Sequence, residues 1–207
     1  MKIAFKCILL FLIATLAGCA TKRQMTREEY LETTTRIYDK TPDEILNASE
    51  KVLRLIDGDD FSIAHTQNGL VATRNWVVYL VLAASNGSDI WVINTEPTKD
   101  GKTRVTTSIS TSMGGTIAPM GGQIATAPGM SGMPAYGNAS YDLFFKRLEY
   151  LLGLRAEWIT CSEANNLVKT NVVWGDNSAI CNSFNVKNTD PRTGEPELGV
   201  RQKEQKM

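Results

Sequence analysis

The residues best equipped for chemistry in this chain of 207 are its four cysteines: Cys7, Cys19, Cys161 and Cys181. A thiolate can be alkylated, bind metal or pair with a second sulfur, so position decides among these roles. Cys19 closes an apolar run from Ile8 to Gly18, with Lys2 and Lys6 ahead of it and the small residues Ala17 and Gly18 just before it. A positive start, an apolar middle and small residues before a cut form the layout of a secretory signal. The run is too short for the ~20 residues that a spanning helix needs. Apart from the cysteines the inventory is thin. His65 is the sole histidine, and on a strand it reads as a structural or surface residue. No G-x-S-x-G, H-E-x-x-H or Gly-rich phosphate loop occurs. The Asp and Glu residues form no ordered pair, so no catalytic residue is nominated and the chain is not read as an enzyme.

The four residues Leu16-Ala17-Gly18-Cys19 resemble the lipobox of bacterial lipoproteins at every position. The resemblance implies a thioether-linked diacylglycerol on Cys19, cleavage before it and acylation of the new amino group. Residues 1–18 are then a lipoprotein signal peptide, and the protein contacts membrane through the lipid on Cys19. Two or more acyl chains anchor stably where one does not. An Asp beside the Cys often holds such proteins in the inner membrane. Ala20 and Thr21 stand here instead, which implies the periplasmic face of the outer membrane.

Removing 18 of 207 residues leaves 189, enough for one domain with a real core. Both signal lysines go with them, leaving 20 Lys+Arg against 22 Asp+Glu. That balance argues against a nucleic-acid-binding surface, which needs clustered positive charge. With Cys7 removed and Cys19 lipidated, Cys161 and Cys181 remain. In an oxidising periplasm they read as one disulfide, with free thiols or a metal pair as alternatives. No metal or cofactor is assigned.

These residues must be held by a scaffold, and the pattern of the chain gives it. Residues 19–29 read as lipidated cysteine and charged tether. Tyr30 to Tyr38 reads as a strand. Thr41-Pro42-Asp43-Glu44 opens a helix with a capping box and Pro at its first position. Ile45, Ala48, Val52 and Ile56 continue it at helical spacing. Gly58 reads as its C′ stop, and Asp57 to Asp60 as a solvated turn. Strands follow, with turns expected at Asn68-Gly69, Asn86-Gly87 and Asp100-Gly101. A second helix starts at Asn138 or Ser140 and carries Tyr141, Phe144, Phe145, Leu148, Leu151, Leu152 and Trp158, with Lys146, Arg147 and Glu149 off its stripe and Gly153 a cost in its interior.

Between them lies residues 112–139, with no charge, seven glycines, three prolines and the four methionines Met113, Met120, Met130 and Met133. So long a segment without regular structure is usually functional or disordered. It reads as a loop for a protein partner, with methionine supplying adaptable apolar contact, or for lipid, or as a floppy insertion without a partner; a copper(I) site on its thioethers is the remote alternative. The expected fold class is α+β: one helix-grip-like domain over residues 30–181, with an antiparallel sheet of four to five strands packed by two helices. Residues 161–181 are a disulfide-tied segment, and 182–207 a disordered tail. The element order and the Thr41-to-Ile56 helix are similar to helix-grip domains of small outer-membrane lipoproteins, such as the accessory lipoprotein of the β-barrel assembly machinery. That resemblance covers Tyr30 to Trp158. It implies a lipid-anchored interaction or structural protein, an accessory subunit of an envelope complex. The alternative is a carrier holding a small apolar ligand between helix and sheet, lined by Trp76, Trp91, Phe144 and Trp158.

Overall fold

The computed structural model describes residues 23–58, 60–80, 83–114, 117–120, 123–126, 130–183 and 185–192. Cys19 and the signal lie outside this range, as does the end of the tail. The class is α+β, as the patterning predicts. Strand β1 (Thr35–Tyr38), β2 (Phe61–Thr66), β3 (Gly69–Leu80), β4 (Ala83–Pro97) and β5 (Thr103–Met113) form a sheet in the order β1-β5-β4-β3-β2. Every pairing in it is antiparallel. Three short strands extend it: β6 (Ile117–Met120) on β4, β7 (Gln123–Thr126) on β6, and β8 (Met130–Pro134) on β5.

Period-2 alternation decides which face is buried. Leu70 and Ala72 on β3, Trp91 and Ile93 on β4, and Val105 and Ile109 on β5 are fully buried. Ala72, Trp91 and Ile109 share one row across the sheet. Two helices cover that face. Helix α2 (Pro42–Asp57) begins at a complete capping box, Thr41 with Glu44, and buries Ile45, Val52, Leu53 and Ile56. Helix α3 (Ala139–Leu151) buries Tyr141, Leu143, Phe144, Phe145 and Leu148. Phe144 meets Trp91 at 5.3 Å between ring centroids. Each such side chain contributes roughly 1.5–3 kcal/mol through area removed from water.

Several expectations are corrected. Tyr30 to Tyr38 is not one strand. Arg27–Thr34 is helix α1, because Thr26 and Glu29 form a second capping box, so the tether expected over 19–29 gives way to helix from Arg27. Only Thr35–Tyr38 pairs with β5. The β3–β4 hairpin does not turn at Asn86-Gly87. Gly87 lies inside β4 opposite Trp76, and the register runs on to Leu80 opposite Ala83. A Cβ on Gly87 would sit 2.3 Å from the Trp76 ring, so this glycine serves close approach rather than a turn. Gly58 caps α2 in the right-handed region, with φ −54°. Gly153 is not inside a helix: α3 ends at Leu151, and Gly153 takes the left-handed φ of +75° that favours glycine just past a helix end. Trp158 therefore lies beyond α3.

The tail from residue 182 is packed as far as it is described. Val186 rests on the main core, and the Lys187 amide donates to the Leu55 carbonyl at 2.8 Å. Between the two cysteines the chain forms helix α4 (Cys161–Lys169), opened by a third capping box at Thr160 and Glu163, and the helical turn α5 (Ser178–Cys181).

Candidate interaction surface

The sheet is longer than the helices that cover it, and the excess forms an arm. The last covered row is Phe61–Arg74–Asp89–Thr111. Past it, β3 continues from Asn75 to Leu80 and β4 returns from Ala83 to Ser88. Strand β2 has already ended, so this part of β3 pairs only with β4 among the described residues. On the other flank β5 runs to Met113 opposite Gly87, and β6 joins at Ala84 opposite Ile117. The segment 112–139, expected as an irregular loop, is a correction too. Its described parts are mostly strand, because Ser110, Thr111 and Met113 offer a free edge that Pro134, Met133 and Met130 occupy. Apolar side chains emerge along the arm: Val77 is 51 % exposed, Val78 46 % and Tyr79 81 %, with Met113 also exposed, and Met133 and Tyr136 are exposed at and behind its base. No charged residue occurs from 75 to 88 or from 105 to 141.

A buried ionic clamp fixes the base of the arm. Arg74 Nη2 lies 2.5 Å from Asp89 Oδ2, which joins β3 to β4. Thr111 Oγ1 donates to Asp89 Oδ1 at 2.9 Å, which joins β4 to β5. Arg74 Nη1 is 3.8 Å from Asp57 Oδ2 at the end of α2. Asp57 in turn accepts from Ser183 Oγ at 2.6 Å and Asn185 Nδ2 at 3.0 Å. Arg74, Asp89 and Asp57 are all buried, so the solvated turn expected at Asp57 is corrected. Both carboxylates have their oxygens taken by donors. Charge-assisted hydrogen bonds of this kind hold the elements together.

A second buried cation, Arg147, was expected off the apolar stripe of α3 but has no exposed surface. Its Nε donates to the Ile159 carbonyl at 3.2 Å, and its guanidinium stacks over Trp158 at 4.6 Å. Asn188 Oδ1 lies 3.5 Å from Arg147 Nη2 and accepts from the Cys161 amide at 2.8 Å. The Tyr150 hydroxyl donates to Asp190. These bonds turn residues 185–192 into a strap across the disulfide-tied segment. Burial also pushes the Tyr141 phenol up to about 12. It stays protonated beside the Ile109 backbone, tying α3 to β5.

The residues singled out from the sequence scatter accordingly. Cys161 and Cys181 are joined as a disulfide, their Cα atoms 5.7 Å apart. Trp91 and Phe144 touch each other in the main core, whereas Trp158 belongs to a separate cluster with Leu55 and Tyr150. Trp76 lies out on the arm over Gly87. The four do not line one pocket. Met113 and Met130 are directly opposite on β5 and β8, Met133 faces Thr111, and Met120 ends β6. His65 is exposed and paired with Glu50 of α2 at 2.8 Å. Among the described residues no three His, Cys, Asp or Glu side chains are grouped to hold a metal ion, and no helix is long and apolar enough to cross a membrane.

The clamp has no motif of its own, although the sequence carries a signal for it. Arg74 continues the buried alternation of Leu70 and Ala72, and Arg74 and Asp89 bracket a charge-free run. No protein-family model, curated protein or solved structure matches the chain.

Proposed function

We propose that this chain is a lipid-anchored lipoprotein of the outer membrane's periplasmic face, acting as an interaction or structural subunit of a cell-envelope complex. The anchor rests on Leu16-Ala17-Gly18-Cys19. The interaction role rests on one observation: a charge-free, apolar β-arm projects beyond the helix-covered sheet and is clamped at its base by Arg74 and Asp89. Exposed apolar patches rimmed by polar surface mark interaction sites. The β5–β8 flank, with Met113, Met133 and Tyr136 at the surface, is the part we assign to a protein partner, since methionine side chains adapt to an irregular contact. The carrier reading has less support, since Trp91 and Phe144 are buried against each other in the core.

The test is a crosslinking pull-down from intact envelopes with Met113, Met133 and Tyr136 each replaced by Ser. All three side chains are exposed, so the domain should keep its melting temperature while its specific partner is lost. An unchanged set of crosslinked proteins would refute the assignment of this flank.

A further inference from the structure

The tip of the arm suits a different surface from the β5–β8 flank. By strand alternation Val77 and Tyr79 point to one face and Val78 to the other, and all three are exposed. A protein groove that covered one face would leave the other apolar face wet. A medium that is apolar on all sides covers both. The absence of charge from 75 to 88 means that entering such a medium desolvates no ion. Tyr79 and Trp76 are also the aromatic types enriched at the membrane–water boundary, where an apolar ring and a polar atom both find a match.

Length sets the depth. The six residues from Asn75 to Leu80 span roughly 20 Å at ~3.3 Å per residue, short of the ~30 Å hydrocarbon core. The outer edge of β3 there has no strand partner among the described residues, and hydrocarbon does not tolerate unpaired backbone groups. The boundary layer does, since water and headgroups still reach the edge. We propose that the Trp76–Leu80 tip seats in the lipid–water interface of a bilayer, as a membrane contact independent of any lipid on Cys19. It would fix the orientation of the domain on the membrane, with the Arg74–Asp89 clamp as the rigid joint behind it.

The experiment uses residues 20–207, which contain every described element and no lipidation site, floated with phosphatidylcholine vesicles. The expected result is flotation that 0.5 M salt does not reverse. Val77→Asp with Tyr79→Asp should lower the bound fraction at least tenfold with an unchanged circular dichroism spectrum. In the otherwise native chain, Tyr79→Trp should add fluorescence that brominated phosphatidylcholine quenches, which holds even where the double variant fails to fold. The proposal is overturned if the chain stays at the bottom of the gradient, if brominated lipid leaves the added fluorescence unquenched, or if the charged tip instead dissolves a two-copy species formed without lipid. Failure to float by a chain whose acylated form still fractionates with membranes would reject this inference and leave the Cys19 anchor standing.

Discussion

Arg74→Leu should lower the stability of the domain by about 3–5 kcal/mol, the usual effect of removing one partner from a buried ion pair. The guanidinium is the only cation placed between Asp89 and Asp57 among the described contacts of either carboxylate. Without it, two buried carboxylates face each other across the space it occupied. In a domain of this size 1 kcal/mol corresponds to ~2–4 °C in Tm, so the melt should fall by roughly 10 °C. Removing both members of the tighter pair, Arg74→Leu with Asp89→Leu, should lose less than Arg74→Leu alone. The second change removes an uncompensated charge, while Asp57 keeps Ser183 and Asn185 as donors. A thermal melt followed by circular dichroism decides this. A single variant within 1 kcal/mol of the parent would show that the cluster does not hold the arm.

Cys161→Ala with Cys181→Ala should cost roughly 3 kcal/mol, because the bond closes a loop of 20 residues and restricts the unfolded chain accordingly. The drop in Tm should be about 6–12 °C, and reductant should lower the parent's Tm to the same value without affecting the variant. The consequences should spread past the bond. Cys161 opens α4, whose backbone amide is held by Asn188 of the strap, and Cys181 ends the turn whose Ala179 carbonyl lies 3.5 Å from Arg74 Nη2. Protease cutting within 182–192 should therefore quicken when the disulfide is absent. Equal cutting rates would mean that the strap is held without it.

The helices were legible where local chemistry decides. Thr41-Pro42-x-Glu44 states its own start, and the apolar stripe from Ile45 to Ile56 states its buried face. The disulfide followed from counting cysteines under the lipobox resemblance. What was not legible depended on partners distant in sequence. Asn86-Gly87 carries a turn signal, yet the strand continues through it because Gly87 is what lets the Trp76 ring lie against the backbone. Residues 112–139 lack any strong periodic signal. Met130 and Met133 become strand only because the edge of β5 accepts them. Asn188 and Asp190 read as polar tail, and their order comes from Arg147 and Tyr150, about 40 residues earlier. The clamp was the least visible part, since burying Asp57 requires Arg74 from one distant stretch of chain and Ser183 and Asn185 from another.

The anchored, arm-presenting protein proposed here depends first on what is attached to Cys19. Mass spectrometry of the N-terminal peptide, taken from protein extracted from its own membrane with detergent, tests that directly. The expected peptide begins Cys19-Ala20-Thr21-Lys22, with a diacylglyceryl thioether on sulfur and an acyl chain on the amino group. A peptide that begins elsewhere, or one that carries an unmodified Cys19, would contradict it.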